Sequence, residues 1–485
     1  MKPYVKIAAG LLLIVSLLFG TYSCAVNPVT GKQELMLLSE TDEIQLGRET
    51  DTQVVQEYGV YDDAKLTAYL NDICQRLGKS SHRPNLTYHF KVVDVSVVNA
   101  FAVPGGYLYF TRGILASLNS EAELAGVMGH EIGHITARHS ASQYSKAQLA
   151  QLGLGVGMIF AEKVPGLSEL AQLGVGMLFL SFSRDNERQA DDLGVEYASK
   201  LGYDAGQMAN FFETLEHMTP GSDRSGLPDW FSTHPNPEDR IKAVRGRARE
   251  WQDRLGRRDL VLNRDEYLGR IDGLVFGDDP RQGYVAEHVF YHPDLRFQFP
   301  VPANWKVNNT TSNVQMVSTG QEAVILFTMT KGTNPHEAAR TFVSKNKARV
   351  IRTEAIYING LPSERLFSDV QTQKGFIRVL SYFIQRGKEI FVFHGLTSPG
   401  LFQKYEFIFD GTMKNFRELS DPQRINVKPD RIRIRIVGTP DRLENLLRSF
   451  GVPNEKLKEM ALLNGKDLNE SIPANTMLKV VERGR

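Results

Sequence analysis

The stretch ELAGVMGHEIGHITARH (residues 123–139) contains the pattern His-Glu-x-x-His. Its apolar residues recur at helical spacing and it has no proline, so it predicts a helix. Positions i and i+4 share one helix face, so His130 and His134 can direct their imidazoles at one point. Two neutral imidazoles suit a zinc ion. Glu131 follows the first of them, within reach of a water at that point, and can act as a general base.

A catalytic zinc site also needs a third protein ligand. Residues 183–194, SRDNERQADDLG, predict a second helix with Glu187 and Asp191 one turn apart. Glu187 can complete a His/His/Glu set, and Asp191 can hydrogen-bond a ligand imidazole, although such charges also occur on plain exposed helix faces. His139 is the other candidate ligand. The metzincin spacing would place that histidine at residue 140, which is Ser140, so we expect His139 on the helix surface or behind a ligand.

These two motifs resemble those of the zinc peptidase family that includes the CAAX prenyl endopeptidases and the bacterial heat-shock membrane protease HtpX. The chain is most similar to the soluble periplasmic branch that includes the β-barrel assembly-enhancing protease. Three further stretches carry the resemblance: NPVTGK at 27–32, NAFAVPGG at 99–106 and STHP at 232–235. The resemblance extends over about residues 24–250, with several motifs in family order.

The resemblance implies a role for each residue of the two helical motifs. His130, His134 and Glu187 are expected to bind one zinc ion, with no other cofactor. Glu131 is expected to be the catalytic base, and Asp191 is expected to support the ligands.

His234 and Arg240 lie in or just after the third stretch, and their roles stay open. His234 is in a proline-flanked loop, where a histidine is usually a polar surface group. The resemblance implies that it approaches the zinc. There it could stabilise the oxyanion, or occupy the fourth coordination position and keep the enzyme latent. Arg240 could stabilise the oxyanion instead.

Residues 1–24 predict a targeting segment. Two lysines precede an apolar stretch at 7–20, which is shorter than the roughly 20 residues of a membrane span. Cys24 resembles the lipidated cysteine of a bacterial lipoprotein, although residues 21–23 depart from the usual leucine-containing box. A simple cleaved signal and an uncleaved anchor therefore remain alternatives. Each alternative exports the chain, and lipidation would anchor it to the outer membrane in the periplasm. Cys74 is then left as a lone, buried thiol.

Two features of the first domain concern substrate access. Residues 101–110 predict a Pro-Gly-Gly turn and a strand; in the resembled family this is the edge strand beside the zinc, where an extended substrate can pair. A plain sheet edge is the alternative. Residues 152–182 hold two short apolar blocks, which predict two short helices forming a lid over the cleft.

The rest of the chain predicts further units. Residues 256–285 are turn-rich and predict a linker. Residues 286–424 predict a small α+β domain of unknown role, with strands at 297–299, 323–329, 351–358, 375–385 and 389–396 and a helix at 336–347. Three of its histidines are interpreted as structural: His288, His292 and His394. Residues 425–485 have a β-α-α-β order that resembles a LysM glycan-binding module, with a packing module as the alternative.

The expected fold class is α+β multidomain. A mainly helical, gluzincin-type zinc peptidase domain with a small sheet, at 25–255, is followed by the α+β domain and the LysM-like module. The expected function is metalloendopeptidase of the cell envelope, acting on misfolded or misassembled envelope polypeptides. The alternative is a latent or non-proteolytic zinc-bound chaperone or scaffold, with C-terminal modules that bind partners or peptidoglycan. A net charge of +1 over 485 residues gives no reason to expect nucleic acid.

Overall fold

The structure is a computed structural model that describes residues 24–154, 181–218, 230–234, 239–372 and 375–484. Most of the predicted lid at 152–182, and residues 1–23 of the predicted targeting segment, lie outside these ranges. No helix among the described residues is long and apolar enough to cross a membrane. The helices of the first domain are α1 (Glu40–Tyr58), α2 (Ala64–Ser80), α3 (Arg112–Ser117), α4 (Glu121–Thr136), α5 (His139–Leu154), α6 (Arg184–Lys200), α7 (Gln207–His217), α8 (Trp230–Thr233) and α9 (Arg240–Leu255).

Helix α4 contains the His-Glu-x-x-His pattern and is buried along its whole length. The Ser120 side chain caps it by accepting a hydrogen bond from the Glu123 amide. Glycines let α4 and α6 come close together. A Cβ atom on Gly129 would lie 2.9 Å from the carbonyl oxygen of Gly194, closer than real Cβ atoms approach, so only glycine fits there. This close contact sets the two predicted metal-binding helices side by side.

A short hairpin and a small sheet complete the first domain: β1 (Cys24–Val26), β2 (Gln33–Leu35), β3 (His89–Val93), β4 (Ala100–Val103) and β5 (Tyr107–Thr111). The sheet has the order β3-β5-β4, with β3 parallel and β4 antiparallel to β5. The strand after the Pro-Gly-Gly turn is therefore central, and its partner β4, before the turn, is an edge strand. Of the two strands in the 101–110 region, β4 is at the edge of the sheet, as expected, whereas β5 is not.

The strands of the predicted α+β domain are β6 (Tyr284–Ala286), β7 (Val289–His292), β8 (Phe297–Pro300), β9 (Lys306–Asn309), β10 (Asn313–Val317), β11 (Ala323–Thr330), β12 (Arg349–Ile358), β13 (Leu361–Thr372), β14 (Gly375–Arg386), β15 (Glu389–Thr397) and β16 (Arg417–Glu418). They form a seven-stranded antiparallel sheet with the order β12-β13-β14-β15-β11-β10-β9 and a four-stranded sheet with the order β16-β8-β7-β6. Phenylalanine rings dominate the core between the two sheets.

All five strands and the helix predicted for this region are present, but two long elements were not predicted. They are strand β13 and a helix at Phe402–Met413. The helices here and beyond are α10 (Arg264–Arg270), α11 (Pro335–Lys345), α12 (Phe402–Met413), α13 (Pro422–Ile425), α14 (Leu443–Ser449) and α15 (Leu457–Leu463). The last strands are β17 (Arg431–Ile436), β18 (Asp441–Arg442), β19 (Ser471–Ile472) and β20 (Met477–Glu482).

The predicted linker at 256–285 is packed into the core. Tyr267, Leu268 and Ile271 are fully buried, in the apolar core that the first domain shares with residues 432–480. Two backbone hydrogen bonds of 2.8 Å join this segment to Ile432 at the start of the last unit: the Gly273 amide donates to the Ile432 carbonyl, and the Ile432 amide donates to the Leu274 carbonyl. The prediction of a linker rested on turn residues. Because the short helix α10 carries enough apolar surface to bury, this segment packs instead of remaining extended.

The last unit has the predicted β-α-α-β order, with β17 pairing antiparallel to β20 around α14 and α15. It is built into the first domain through Lys479 of β20. The Nζ atom of Lys479, which is fully buried, donates hydrogen bonds to the carbonyl oxygens of Ala116 (2.7 Å) and Leu118 (2.9 Å). These carbonyls lie just before the Ser120 cap of α4, so the C-terminal unit supports the start of the helix with the His-Glu-x-x-His pattern.

Candidate metal centre

Four buried side chains bring potential metal ligands together between α4, α6 and the loop after α8. They are His130, His134, Glu187 and His234, and one ligand atom from each lies within 4.8 Å of the others. Three of them are the ligands predicted from the sequence. The fourth is the histidine of the STHP stretch, which was predicted to approach the metal. No other such group of His, Cys, Asp and Glu occurs in the part of the chain that the structure describes.

The distances between the donor atoms test whether zinc would fit. Four ligands about 2.0 Å from a tetrahedral zinc ion lie ~3.3 Å from one another. His130 Nε2 is 3.1 Å from His134 Nε2 and 3.3 Å from His234 Nδ1. Glu187 Oε1 is 3.1 Å from His234 Nδ1 and 3.5 Å from His134 Nε2. The three-nitrogen, one-oxygen donor set and its spacing therefore fit a tetrahedral zinc ion.

Glu131 lies beside this cluster without joining it. Its Oε1 atom is 3.6 Å from Nε2 of His234. The carboxylate is fully buried, and neither oxygen has a hydrogen-bond partner among the described residues. Leaving a buried carboxylate unsatisfied costs stability, and such groups occur where function requires them. A water molecule or a substrate group bound to a metal ion in this cluster would supply the missing hydrogen-bond partner.

Asp191 and Arg240 lie behind the ligands. Asp191 Oδ1 is 2.9 Å from Nδ1 of His130, which leaves Nε2 of that ring to face the cluster. Arg240 donates two hydrogen bonds to Asp191, at 2.7 and 2.8 Å, and its Nη1 lies 3.1 Å from Glu187 Oε2. Its guanidinium is 4.4 Å from the ring centre of Phe212. These contacts favour a positioning role for Arg240 over the oxyanion role that was one alternative in the sequence analysis.

His234 is held by aromatic packing as well as by the acidic ligand. Its ring stacks on Trp230 with 4.3 Å between centroids, and Phe182 packs 5.6 Å away. With its Nδ1 atom at the fourth corner of the donor set, His234 stands where a metal-bound water would otherwise be. Neither aromatic neighbour was identified from the sequence. Stacking of Trp230 on a residue four positions later at a helix end has no distinctive local pattern, and Phe182 lies far from His234 in the sequence.

For the two glutamates of the site, burial and the neighbouring His234 shift the pKa in opposite directions. Burial raises the pKa of Glu131, although His234 and His130 partly oppose this. Burial lowers the pKa of His134 well below its usual range and so favours the neutral imidazole that metal binding requires. Burial alone would raise the pKa of Glu187, but His234 and Arg240 outweigh it and the pKa is lowered. Glu187 is thus kept ionised, as a ligand must be.

The hydrogen bond between Asp191 and His130 indicates that a substitution at Asp191 changes the zinc affinity of the site. We expect Asp191→Asn to weaken zinc binding by ~10–100-fold, because an amide is a weaker acceptor for the imidazole N–H and because one of the two carboxylates that contact Arg240 is lost. Competition with a chromophoric chelator measures this affinity. Asp192→Asn is the matched control on the exposed side of the same helix, and it should leave the affinity unchanged. Equal zinc affinities for Asp191→Asn and the wild type would contradict the assigned support role.

Part of the chain is similar to known peptidases. Residues 64–248 match the model of peptidase family M48. The beta-barrel assembly-enhancing protease of Escherichia coli strain K12 is 30% identical over 268 residues, which cover 54% of this chain and 54% of that protein. The mitochondrial metalloendopeptidase OMA1 of Homo sapiens is 28% identical over 252 residues, 48% of this chain and 47% of that protein. OMA1 of Arabidopsis thaliana is 32% identical over 231 residues, 47% of this chain and 44% of that protein.

The chain thus spans about half the length of the curated relatives it matches. The family match covers α2 to most of α9 and includes the residues of the metal cluster. The seven-stranded sheet and the β-α-α-β unit lie outside it.

Proposed function

We propose, on the premise that residues 64–248 match the model of peptidase family M48, that this chain is a zinc-dependent metalloendopeptidase of the cell envelope. Its proposed substrates are polypeptides, in particular misfolded or misassembled envelope proteins. The observation that carries this proposal is the buried set of three histidines and a glutamate with Glu131 beside it. The proposal includes zinc as the metal, the cofactor of this family.

In the proposed mechanism, His130, His134 and Glu187 hold the zinc ion. Zinc in such a site supplies Lewis acidity, which makes water a nucleophile near neutral pH and polarises the scissile carbonyl. Glu131 accepts a proton from the attacking water and passes it to the leaving amine, so its proton count is restored after each turnover. Asp191 and Arg240 hold the ligands in place. The edge strand β4 offers free backbone groups to an extended peptide, which supports weak sequence selectivity.

A latent form of the same enzyme is the second candidate. His234 Nδ1 lies 3.1 Å from Glu187 Oε1 and 3.3 Å from His130 Nε2, which are the spacings of a ligand. With His234 in the fourth position, no place is left for the reacting water, and activity requires the loop to withdraw. A non-proteolytic chaperone or scaffold would keep this closed arrangement permanently.

Replacing His234 by Ala tests which of these states the protein adopts. For a latent enzyme, we expect His234→Ala to cleave an unfolded polypeptide at least ~10-fold faster than the wild type, because the fourth position opens to water. For an oxyanion-stabilising His234, the same variant should be slower by ~100-fold. His217→Ala, at an exposed histidine on α7, is the matched control and should not change the rate. Bound zinc with no cleavage by any of these proteins would favour the scaffold alternative.

We further propose the domain division and location predicted from the sequence. The peptidase domain occupies 25–255 and is of the gluzincin type, 286–424 is a separate α+β unit, and 425–485 is LysM-like and binds envelope partners or peptidoglycan. Cys24 is the proposed lipid anchor of an exported protein. Mass spectrometry of the N-terminal peptide tests the anchor, and an unmodified, uncleaved peptide would contradict it. Cosedimentation with purified peptidoglycan tests the LysM-like unit, and a protein that stays in the supernatant would contradict glycan binding.

A further inference from the structure

We infer that His139 is a positioning residue for His134, acting through a hydrogen-bonded chain from His134 to His139 to Gln189, and that this chain sets the zinc affinity of the site. The inference rests on the proposed zinc site and goes beyond it, because neither His139 nor Gln189 belongs to the donor set. Both lie on the side of His134 that faces away from the cluster.

The direction of each hydrogen bond follows from the geometry. The Nε2 atom of His134 faces His130 and Glu187, so on a metal-binding imidazole the proton is on Nδ1. The atom 3.0 Å from this Nδ1 is Nδ1 of His139, which must therefore accept the hydrogen bond. The proton of His139 is then on Nε2, which donates to the side-chain oxygen of Gln189 at 2.9 Å. One tautomer of each ring satisfies the whole chain.

The backbone conformation of Arg138 orients the His139 ring. Arg138 has a φ of +57°, in the left-handed region that a non-glycine residue rarely adopts. Arg138 lies between the end of α4 and the start of α5 at His139, and the turn there places the His139 ring beside His134. The buried Glu43 carboxylate accepts a hydrogen bond from Nε of Arg138 at 3.0 Å, and Leu38 O accepts one from Nη2 at 2.9 Å. An uncommon conformation held by buried contacts indicates a constrained position.

The two histidine ligands of α4 are therefore supported differently. His130 has a carboxylate behind it, from Asp191, whereas His134 has the neutral chain through His139. The ring of Phe182 closes the site, with its centroid 4.0 Å from that of His134 and 6.2 Å from that of His139. The His139 ring is buried, whereas Gln189, at the outer end of the chain, is half-buried beside a surface pocket.

Three variants of His139 separate positioning from simple packing. His139→Asn keeps an acceptor near the position of Nδ1, His139→Gln moves it towards the position of Nε2, and His139→Phe removes it while filling the space. We expect His139→Phe and His139→Gln to bind zinc ~10–100-fold more weakly than the wild type, and His139→Asn to stay within ~3-fold. The readout is zinc affinity by chelator competition on the full chain, with thermal unfolding of the metal-free protein as the measure of folding.

The outcomes distinguish this inference from the proposed function. If the wild type binds zinc and all three variants bind it equally well, the positioning role of His139 is wrong while the zinc site stands. If affinity falls in all three together with the metal-free melting temperature, His139 is only a packing residue and the inference is overturned. If the wild type binds no zinc, the proposed function itself fails. Weaker zinc binding by His139→Phe and His139→Gln but not by His139→Asn, at unchanged metal-free stability, is the result that the hydrogen-bonded chain requires.

Discussion

Replacing Glu131 by Gln is expected to reduce cleavage of an unfolded polypeptide by ~10³-fold while the protein still binds one zinc ion. The amide has the same shape as the carboxylate but cannot accept the proton of the attacking water. Glu131 makes no hydrogen bond within the described residues, so the substitution removes no native hydrogen bond there. Rates should be measured in the wild type and in the His234→Ala background, so that a latent wild type does not hide the effect.

The control for this variant is a glutamate remote from the cluster. Glu250→Gln changes the same functional group on the exposed side of α9 and should leave both rate and zinc content unchanged. A Glu131→Gln protein that cleaves as fast as its parent would exclude Glu131 as the base. Loss of zinc in the same variant would instead make Glu131 a ligand.

Replacing Lys479 by Met is expected to destabilise the protein by ~3–5 kcal/mol, because buried charged contacts are lost without replacement. Two carbonyl oxygens, of Ala116 and Leu118, would lose their donor. Glu123, buried in the first turn of α4, would lose a neighbouring cation. Burial lowers the pKa of Lys479 to about 7 even with that carboxylate nearby, so the pair lies in a poorly solvated place.

Urea unfolding of the full chain, followed by tryptophan fluorescence, measures this effect. Lys458→Met, at an exposed lysine on α15, is the control and should shift the transition by less than ~0.5 kcal/mol. Equal midpoints for Lys479→Met and the wild type would contradict the account of the C-terminal unit as a support for α4. If Lys479→Met is destabilised, the zinc content of the folded variant shows whether the loss of this support also affects the metal site.

Local patterns were sufficient to predict the parts of the site that lie on single helices. His130 and His134, like Glu187 and Asp191, are four residues apart, and a helix places such pairs on one face whatever the rest of the chain does. The predicted role of His234 needed the resemblance, since a loop histidine has no periodicity to indicate where it points.

The contacts that could not be predicted join residues far apart in sequence or depend on an unusual backbone conformation. The left-handed conformation of Arg138 has no sequence signal comparable to a glycine, yet it directs His139 at a ligand. Lys479 lies 361 positions beyond Leu118, to which it donates. The unpredicted strand β13 mixes polar and apolar residues with no clean alternation, because both of its faces are covered: Leu366 packs with α11 and Phe367 lies in the phenylalanine core.

Zinc titration of the metal-free protein, with cleavage measured at each step, tests the central proposal most directly. We expect no cleavage without metal, and a rise in cleavage to a plateau at one zinc per chain. This result is expected for the His234→Ala chain, and also for the wild type if the wild type is not latent. In a Glu187→Ala chain, where one of three proposed ligands is missing, the same titration should need far more zinc. Cleavage that persists in the metal-free protein, or no zinc binding by the wild type, would contradict the assignment of a zinc peptidase.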